Sequence, residues 1–172
     1  MSQAVAPVTR ILCVCTGNLA RSPLTEGLLR TAFADCGIGG VTVASAGLHS
    51  VVGAPATPKV QSVARDYGVD LSAHVARQFE KEDFARFDHI YALDGGHLEQ
   101  LRDLAPKDYR GALSLLPAPR GTRGIEVFDP FGRSRRAYAR AAALIAAGVG
   151  VILSGWLERA SAARADEYQR AR

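Results

Sequence analysis

Apolar residues along this chain form short compact runs that alternate with segments in which they recur every three or four positions. The runs at 8–14, 41–44, 89–93 and 112–116 are typical of buried strands. The first of them has Ile11-Leu12-Cys13-Val14 at its centre. The pattern therefore predicts four strands, each separated from the next by a polar or helical segment.

Helical periodicity follows the strands. Ser22-Pro23 predicts the N-cap and first position of a helix that ends at Gly37. Further helices are predicted over 58–67, closed by Gly68, and as a short element after Ser72. Two more are predicted over 98–104 and from Ser134 onward, where Gly148 and Gly150 weaken the pattern.

Strands that alternate with helices predict an α/β fold. We expect a single three-layer domain with a central, mostly parallel four-stranded sheet flanked by helices. A length of 172 residues suits one domain, and no repeat or Pro/Ser-rich linker divides the chain. The expected domain covers 1–172, with a flexible N-terminus over about 1–7 and an extra C-terminal helix or tail over about 157–172.

Composition narrows the classes of function. A hydrophobic fraction of 48% and a charged fraction of 22% are those of a globular protein. No apolar run reaches the ~18–20 residues of a membrane span, and the N-terminus lacks the pattern of a signal peptide. The net charge of +4 comes from scattered arginines, without the basic helix or paired aromatic residues of a nucleic-acid-binding protein. We therefore expect a cytoplasmic protein that neither enters a membrane nor binds nucleic acid.

The cysteines indicate a chemical role rather than a structural one. Their number is three, which is odd, and no Cys/His spacing matches a zinc site. The glycine-rich signatures of mononucleotide and dinucleotide sites are also absent. The sequence therefore predicts neither a disulfide framework nor a metal or organic cofactor, and a reactive cysteine becomes the feature to look for.

The segment Cys15-Thr16-Gly17-Asn18-Leu19-Ala20-Arg21-Ser22 connects the first strand to the first helix. Open α/β sheets bind ligands at the carboxyl ends of their strands, and N–H groups at a helix start attract anions. Arg21 adds a planar fork for two phosphate oxygens. The same positive environment favours a thiolate at Cys15, to which Ser22 can donate a hydrogen bond. The segment predicts a phosphate-binding loop with a nucleophile aimed at phosphorus.

A phenolate leaving group needs a proton, which a positioned acid supplies. Asp129, in the turn Val127-Phe128-Asp129-Pro130-Phe131-Gly132, is the candidate acid. On local sequence alone, an ordinary turn aspartate is the alternative interpretation.

Together these residues resemble the low-molecular-weight protein tyrosine phosphatases, over 11 to about 153. The signature loop from Cys15 to Pro23 is followed in the family's order by several shorter matches, which are Ser45-Ala46-Gly47, the segment 68–78, Asp83-Phe84, Phe87-Asp88, Asp94 and Asp129-Pro130. The resemblance implies hydrolysis of phosphotyrosine on proteins through a cysteinyl-phosphate intermediate. It also implies that no metal or organic cofactor is needed and that phosphate or other oxyanions inhibit.

The resemblance further implies a role for each site residue. Cys15 is the nucleophile, Arg21 holds the transferring phosphoryl group, and Asp129 is the general acid. The phosphate-binding loop consists of Thr16, Gly17, Asn18, Leu19, Ala20, Arg21 and Ser22. Ser22 also tunes the thiolate, while Asn18 and His74 brace the loop from behind. Asp94 is expected near the site without a catalytic part, and structural or surface positions are expected for His49, His89 and His97.

Departures from the family pattern narrow the subclass. Ala20 stands where a second cysteine is common, the loop 48–53 lacks the aromatic residue of eukaryotic members, and Phe131-Gly132 stands after Pro130 in place of their tyrosine pair. This pattern resembles bacterial members that act with capsule and exopolysaccharide tyrosine kinases. It implies such a kinase, or another protein of that pathway, as the substrate. An acidic substrate tail is then expected to meet basic residues around the mouth of the site, which are Arg120, Arg123, Arg133 and Arg135.

Three alternative functions stay open on the same scaffold: hydrolysis of phosphoarginine, reduction of arsenate, and non-catalytic binding of phosphotyrosine. An arsenate reductase of this kind needs additional redox cysteines, whereas only Cys13 and Cys36 remain here. A binding module has no need of Cys15, Arg21 and Asp129 together. The sequence therefore favours the tyrosine phosphatase.

Overall fold

A parallel sheet with helices on both faces organises the chain, and the computed structural model describes residues 9–119 and 124–170. In chain order the elements are β1 (Thr9–Cys15), α1 (Arg21–Asp35), β2 (Val41–Gly47), α2 (Pro58–Asp66), α3 (Asp83–Arg86), β3 (His89–Ala92), α4 (Gly95–Leu104), β4 (Ala112–Leu115) and α5 (Arg135–Arg170). The strand order is β2-β1-β3-β4, and every pair is parallel. The predicted fold class is confirmed. The predicted flexible N-terminus over 1–7 lies outside the described residues.

Strand β1 lies between two hydrophobic cores. Successive residues of a strand point to opposite faces, so Ile11, Cys13 and Cys15 pack in the core formed with α1, α2 and α5. Leu12 and Val14 pack in the other core, with α3 and α4. Because β1 is buried from Ile11 through Cys15, the loop that follows it starts from a rigid anchor.

Helix α1 differs from its predicted start. It begins at Arg21, and Ser22 is not its N-cap, because no side chain caps this helix. The Ser22 hydroxyl instead lies 2.9 Å from Cys15 Sγ, in the buried interior. The N–H groups of the first helical turn are therefore left for an external acceptor, which is the property that an anion site requires.

The short helix predicted after Ser72 is wrong. Ser72 instead closes a turn, in which its backbone N–H and its hydroxyl each donate to the Asp70 carboxylate at 2.9 Å. The chain then runs extended past the end of β2, where Gly47 N–H donates to the Arg77 carbonyl and Phe79 N–H donates to the Gly47 carbonyl. These long-range bonds replace the local ones that a helix would need, and α3 forms later, at Asp83–Arg86.

Helix α4 begins at Gly95, three residues before its predicted start. Asp94 is its N-cap, since the carboxylate accepts the His97 backbone N–H at 2.8 Å. Two consecutive glycines hide this start from a propensity-based prediction, because glycine is unfavourable in helices. The cap overrides that preference.

Helix α5 is one element of 36 residues that packs against α1 and α2. The segment Arg135–Ala162 is long and apolar enough to cross a membrane by length and composition. Its apolar face, however, belongs to the core through side chains at helical spacing, which are Tyr138, Ala141, Ala142, Ile145, Val149 and Ile152. The residues predicted as an extra helix or tail continue α5 as far as Arg170.

Gly148 and Gly150 of α5 differ in their surroundings, and this difference generates a prediction. A Cβ on Gly148 would lie 2.5 Å from Leu116 Cγ and 3.0 Å from the Pro117 carbonyl, whereas a Cβ on Gly150 would meet nothing within 4 Å. We expect Gly148→Ala to lower the free energy of unfolding by about 1–3 kcal/mol through overpacking. We expect Gly150→Ala to raise it by about 0.5–1 kcal/mol, because alanine favours the helix. Urea unfolding of both variants measures the two shifts, and shifts of the same sign would contradict this packing.

Candidate active site

Asn18 determines the shape of the loop between β1 and α1. It is the one non-glycine residue with positive φ in the described part of the chain, at 57°. Its buried side chain donates to Ser22 Oγ at 3.0 Å and to Ser45 Oγ at 2.9 Å, and it accepts the Arg77 backbone N–H at 2.9 Å. His74 Nε2 donates to the Asn18 carbonyl at 2.7 Å. These partners hold a backbone conformation that is otherwise rarely populated.

The donors and acceptors of the hydrogen bonds behind the loop can be assigned in order, starting from the Glu26 carboxylate. Ser45 donates its hydroxyl proton to the Glu26 carboxylate at 2.6 Å, so it accepts from the Asn18 amide. The same amide group donates its other proton to Ser22 Oγ. Ser22 therefore keeps its own proton for Cys15 Sγ, 2.9 Å away, or for the Ala46 carbonyl at 3.3 Å. The network therefore leaves the Ser22 hydroxyl able to donate to the sulfur.

Arg21 is buried, and its two terminal nitrogens have different partners. Nη1 donates to Asp94 Oδ2 at 2.7 Å and to the Val127 carbonyl at 3.0 Å. Nη2 lies 3.3 Å from Thr16 Oγ1 and 3.2 Å from Asp129 Oδ2. One nitrogen is thus fixed from behind while the other faces the site.

Asp94 is the fixed counter-charge of Arg21. Its burial alone would raise the pKa of the carboxyl group, but the His97 ring beside it, the His97 backbone N–H and the Arg21 guanidinium outweigh that effect and hold the pKa well below its usual value. Asp94 therefore stays ionised near neutral pH, and the pairing with Arg21 is maintained there.

The loop opens into a cavity of about 210 Å³. Cys15 lies at its floor, and its walls comprise Thr16, Gly17, Leu19, Ala20, Arg21, Val51, Asp129 and Phe131. Val51 and Phe131 are exposed on its rim, at 57% and 59%. A larger cavity of about 420 Å³ lies behind the loop, between α1 and the segment 69–77, and neither Cys15 nor Arg21 lines it. The smaller cavity is thus the one with access to the sulfur.

Asp129 meets the other two predicted catalytic residues in this cavity. Its Oδ1 accepts the Phe131 backbone N–H at 3.0 Å, which orients the carboxylate within the Asp-Pro turn. Its Oδ2 faces Arg21. Of the arginines predicted around the mouth, Arg133 is exposed and Arg135 pairs with Asp66. Arg120 and Arg123 lie outside the described residues.

Sequence reasoning assigned His97 no part in the site, yet it contacts the loop. It is buried at 4% exposure, and its Nε2 lies 2.8 Å from Thr16 Oγ1. The two residues are 81 positions apart. The contact arises because β3, which precedes α4, pairs directly with β1. A prediction of strand order, rather than of elements alone, could have revealed it.

The chain is similar in sequence to known proteins of one family. The family model for low molecular weight phosphotyrosine protein phosphatase matches residues 10–162. A low molecular weight protein-tyrosine-phosphatase of Streptomyces coelicolor is 36% identical over 153 residues, which cover 83% of this chain and 91% of the relative.

Solved structures show the same likeness. The low molecular weight phosphotyrosine phosphatase VcLMWPTP-2 of Vibrio cholerae O395 has a TM-score of 0.79 and 32% identity, covering 88% of this chain and 98% of that one. The arginine phosphatase YwlE of Geobacillus stearothermophilus has a TM-score of 0.77 and 27% identity, covering 88% and 94%. Within the described residues, no group of three or more His, Cys, Asp or Glu side chains could hold a metal ion. The chain belongs to the low molecular weight phosphotyrosine protein phosphatase family.

Proposed function

We propose that this protein hydrolyses phosphotyrosine on proteins, with Cys15 as nucleophile, Arg21 as phosphate ligand and Asp129 as general acid. The observation that carries the proposal is the convergence of these three side chains on one cavity, with the sulfur at its floor. We further propose that the chain forms one phosphatase domain and acts in the cytoplasm. Turnover of para-nitrophenyl phosphate in EDTA tests the activity, and its absence would refute the enzyme.

Binding of the phosphoryl group comes first. The loop N–H groups, the uncapped first turn of α1 and Arg21 Nη2 take up the oxygens of the dianion. The dianion competes with Asp129 for Nη2, which lies 3.2 Å from the carboxylate. Binding of substrate therefore releases Asp129 from Arg21 and places a negative charge beside it that favours its protonated form.

Two displacements follow. The Cys15 thiolate attacks phosphorus, so that an S–P bond forms while the P–O bond to the tyrosine breaks. Asp129 gives its proton to the departing phenolate oxygen. Water then attacks the phosphocysteine, the Asp129 carboxylate accepts a proton from that water, and the S–P bond breaks. Inorganic phosphate leaves and the thiolate is restored, so no external reductant or cofactor enters the balance.

The rim of the cavity favours an aryl substrate over phosphoarginine. Phosphoarginine is the second candidate substrate, because the chain is similar in structure to an arginine phosphatase. Leu19, Val51 and Phe131 present apolar surface above the sulfur. A phenyl ring satisfies such a surface, whereas the substrate guanidinium N–H groups need acceptors and would be left unpaired there. Asp129 is the one carboxylate among the described lining residues, so a guanidinium with several N–H groups would meet a single charged acceptor there.

The other two alternatives have weaker support. Burial raises the pKa of the Cys13 thiol well above its usual value, and the nearby Glu26 and Cys15 charges add to the shift. A neutral thiol in the core does not relay a disulfide, and Cys36 is exposed near the far end of α1. Arsenate reduction therefore lacks a second cysteine. A non-catalytic binding module would not account for the shared cavity of Cys15, Arg21 and Asp129.

Exposed basic residues near Phe131 of the rim favour an acidic substrate segment. The basic patch consists of Arg133 and Arg136, which follow Phe131 in the sequence, and Lys59, all exposed. Lys59 donates to the Arg133 carbonyl, which ties α2 to the turn that follows Phe131. Together with the sequence pattern of the capsule-associated members, the patch supports the phosphorylated tail of a polysaccharide-export tyrosine kinase as the substrate. Phosphate and other oxyanions are expected to compete for the loop.

Substitution at the floor of the site tests the covalent mechanism. We expect Cys15→Ser to abolish turnover of para-nitrophenyl phosphate while retaining phosphate affinity, because the loop and Arg21 hold the anion. Arg21→Lys should lose affinity and turnover alike, since a point charge does not replace the planar fork. Steady-state kinetics and calorimetric titration with phosphate measure the two effects. Activity of Cys15→Ser above a few per cent would rule out the cysteinyl phosphate.

Leaving-group dependence tests the role of Asp129. We expect Asp129→Asn to lower kcat by ~10²–10⁴ for phosphotyrosine peptides, the range for loss of a general acid. The loss should shrink for aryl phosphates whose phenolates leave without a proton. Rates across a series of substituted phenyl phosphates provide the measurement, and a uniform loss over the series would argue against Asp129 as the acid.

Ionic strength tests the basic patch. We expect the KM for acidic phosphotyrosine peptides to rise with salt, while the KM for para-nitrophenyl phosphate changes less, because screening weakens contacts between exposed charges. Combining Arg133→Ala with Arg136→Ala should remove the difference. Arg102→Ala, an exposed arginine on α4, is the matched control. Salt-independent KM values, or a preference for phosphoarginine peptides of equal charge, would reject this substrate.

A further inference from the structure

His97 lies beside the phosphate-binding loop although it belongs to another element. It is in the first turn of α4, three residues after the N-cap Asp94. Its ring is buried between the loop and that carboxylate, with Nε2 at 2.8 Å from Thr16 Oγ1 and Nδ1 at 2.9 Å from Asp94 Oδ1. The mechanism proposed above makes no use of this imidazole, and a buried polar ring in contact with a catalytic loop calls for a function.

We propose that His97 is a positioning residue that holds Arg21 in its phosphate-binding orientation through Thr16. The contacts form a closed ring of side chains. Arg21 Nη1 donates to Asp94 Oδ2 at 2.7 Å, Asp94 Oδ1 meets His97 Nδ1, His97 Nε2 meets Thr16 Oγ1, and Thr16 Oγ1 returns to Arg21 Nη2 at 3.3 Å. This inference rests on the proposed role of Arg21 as the phosphate ligand.

The donor is fixed by chemistry in one contact of the ring. A guanidinium only donates, so Thr16 Oγ1 accepts from Arg21 Nη2. Between Thr16 Oγ1 and His97 Nε2 the hydroxyl can donate to the ring or accept a second N–H from it, and either direction holds the hydroxyl in place. His97 Nδ1 faces Asp94 Oδ1 without the geometry of a hydrogen bond. The directional bond of the imidazole is therefore the one to Thr16.

The position of Asp94 is held by further partners besides the imidazole. Its Oδ1 also accepts the His97 backbone N–H at 2.8 Å, and its Oδ2 accepts from Arg21. The backbone bond persists whichever side chain occupies position 97. Thr16, in contrast, is exposed, and its rotamer is held by His97 and Arg21 alone among the described contacts of its hydroxyl.

Loss of the imidazole therefore acts on the orientation of Arg21. A threonine hydroxyl has three staggered positions, and without His97 it can turn toward solvent. Nη2 then retains Asp129 Oδ2, at 3.2 Å, as its remaining partner in the described site. An arginine drawn toward Asp129 binds phosphate less tightly and restrains the general acid, so both affinity and turnover decrease.

Two substitutions at His97 test the Nε2 contact with Thr16 and the Nδ1 contact with Asp94 separately. Glutamine places an amide near the position of Nε2 and can keep the Thr16 contact, whereas asparagine places one near Nδ1 and can keep only the Asp94 contact. We expect His97→Asn and His97→Ala to weaken phosphate binding and kcat/KM by about 10–100-fold, a range typical of a misplaced catalytic group. His97→Gln should stay within about threefold of wild type. His89→Ala, which removes a partly buried imidazole from the start of β3, is the matched control.

Phosphate affinity is measured by calorimetry in a Cys15→Ser background, and kcat/KM with para-nitrophenyl phosphate in the active enzyme. If His97→Ala does not fold, Thr16→Val replaces it, since it removes the hydroxyl from an exposed position and should give the same loss. In the double variant with His97→Asn, Thr16→Val should add less than about twofold, because the ring is already open.

Three results would overturn the proposal: a folded His97→Ala within twofold of wild type for phosphate, rescue by asparagine rather than glutamine, or additive losses in the double variant. Failure of the proposed function is distinguishable, since it appears as absent turnover in the wild type. The calorimetric order of the variants tests His97 even then.

Discussion

The buried ion pair between Arg21 and Asp94 is the interaction on which the site depends. A guanidinium at 3% exposure is stable only when its charge and donors are matched. Asp94 supplies the charge and also caps α4, and the Val127 carbonyl takes a further donor. The pair therefore joins the start of α1 to the segments that follow β3 and β4. Loss of Asp94 would leave the buried guanidinium with the exposed Asp129 as its one carboxylate partner among the described residues, so the positions of these three segments are coupled.

A second constraint acts from the opposite side of the loop. A Cβ on Gly47, at the end of β2, would lie 2.5 Å from the Thr16 carbonyl and 2.9 Å from the Asn18 nitrogen. Glycine at this position lets the neighbouring strand approach the loop backbone directly. Asn18 is held in its positive-φ conformation by hydrogen bonds to Ser45 on β2 and to the Arg77 backbone. These bonds complete the contacts that surround the loop. The sheet thus holds the loop on one side, and Asp94 holds it on the other. Together these contacts keep the loop N–H groups in place.

The sequence predicts the parts of this arrangement that depend on local pattern. Periodicity and apolar runs were sufficient for the strands, for most helices and for the loop with Cys15 and Arg21. Prediction failed where a long-range contact overrides a local preference. Ser22 bonds to Cys15 rather than capping its helix, the residues after Ser72 pair with Gly47 rather than coiling, and Asp94 starts α4 on two glycines. His97 was missed for the same reason, since its partner on the loop is 81 residues away.

The pairing of Arg21 with Asp129 connects binding to chemistry in the proposed mechanism. An exposed carboxylate gains little from a single contact with a cation, and Asp129 is 53% exposed, so a phosphoryl dianion can displace it. Asp94, which is less exposed and holds Arg21 by a shorter bond, is not displaced. Asp94 thus stays bound to Arg21 throughout, whereas Asp129 contacts Arg21 only until the substrate binds. In the proposed mechanism, the acid becomes free for proton transfer at the moment when the phosphoryl group is in place.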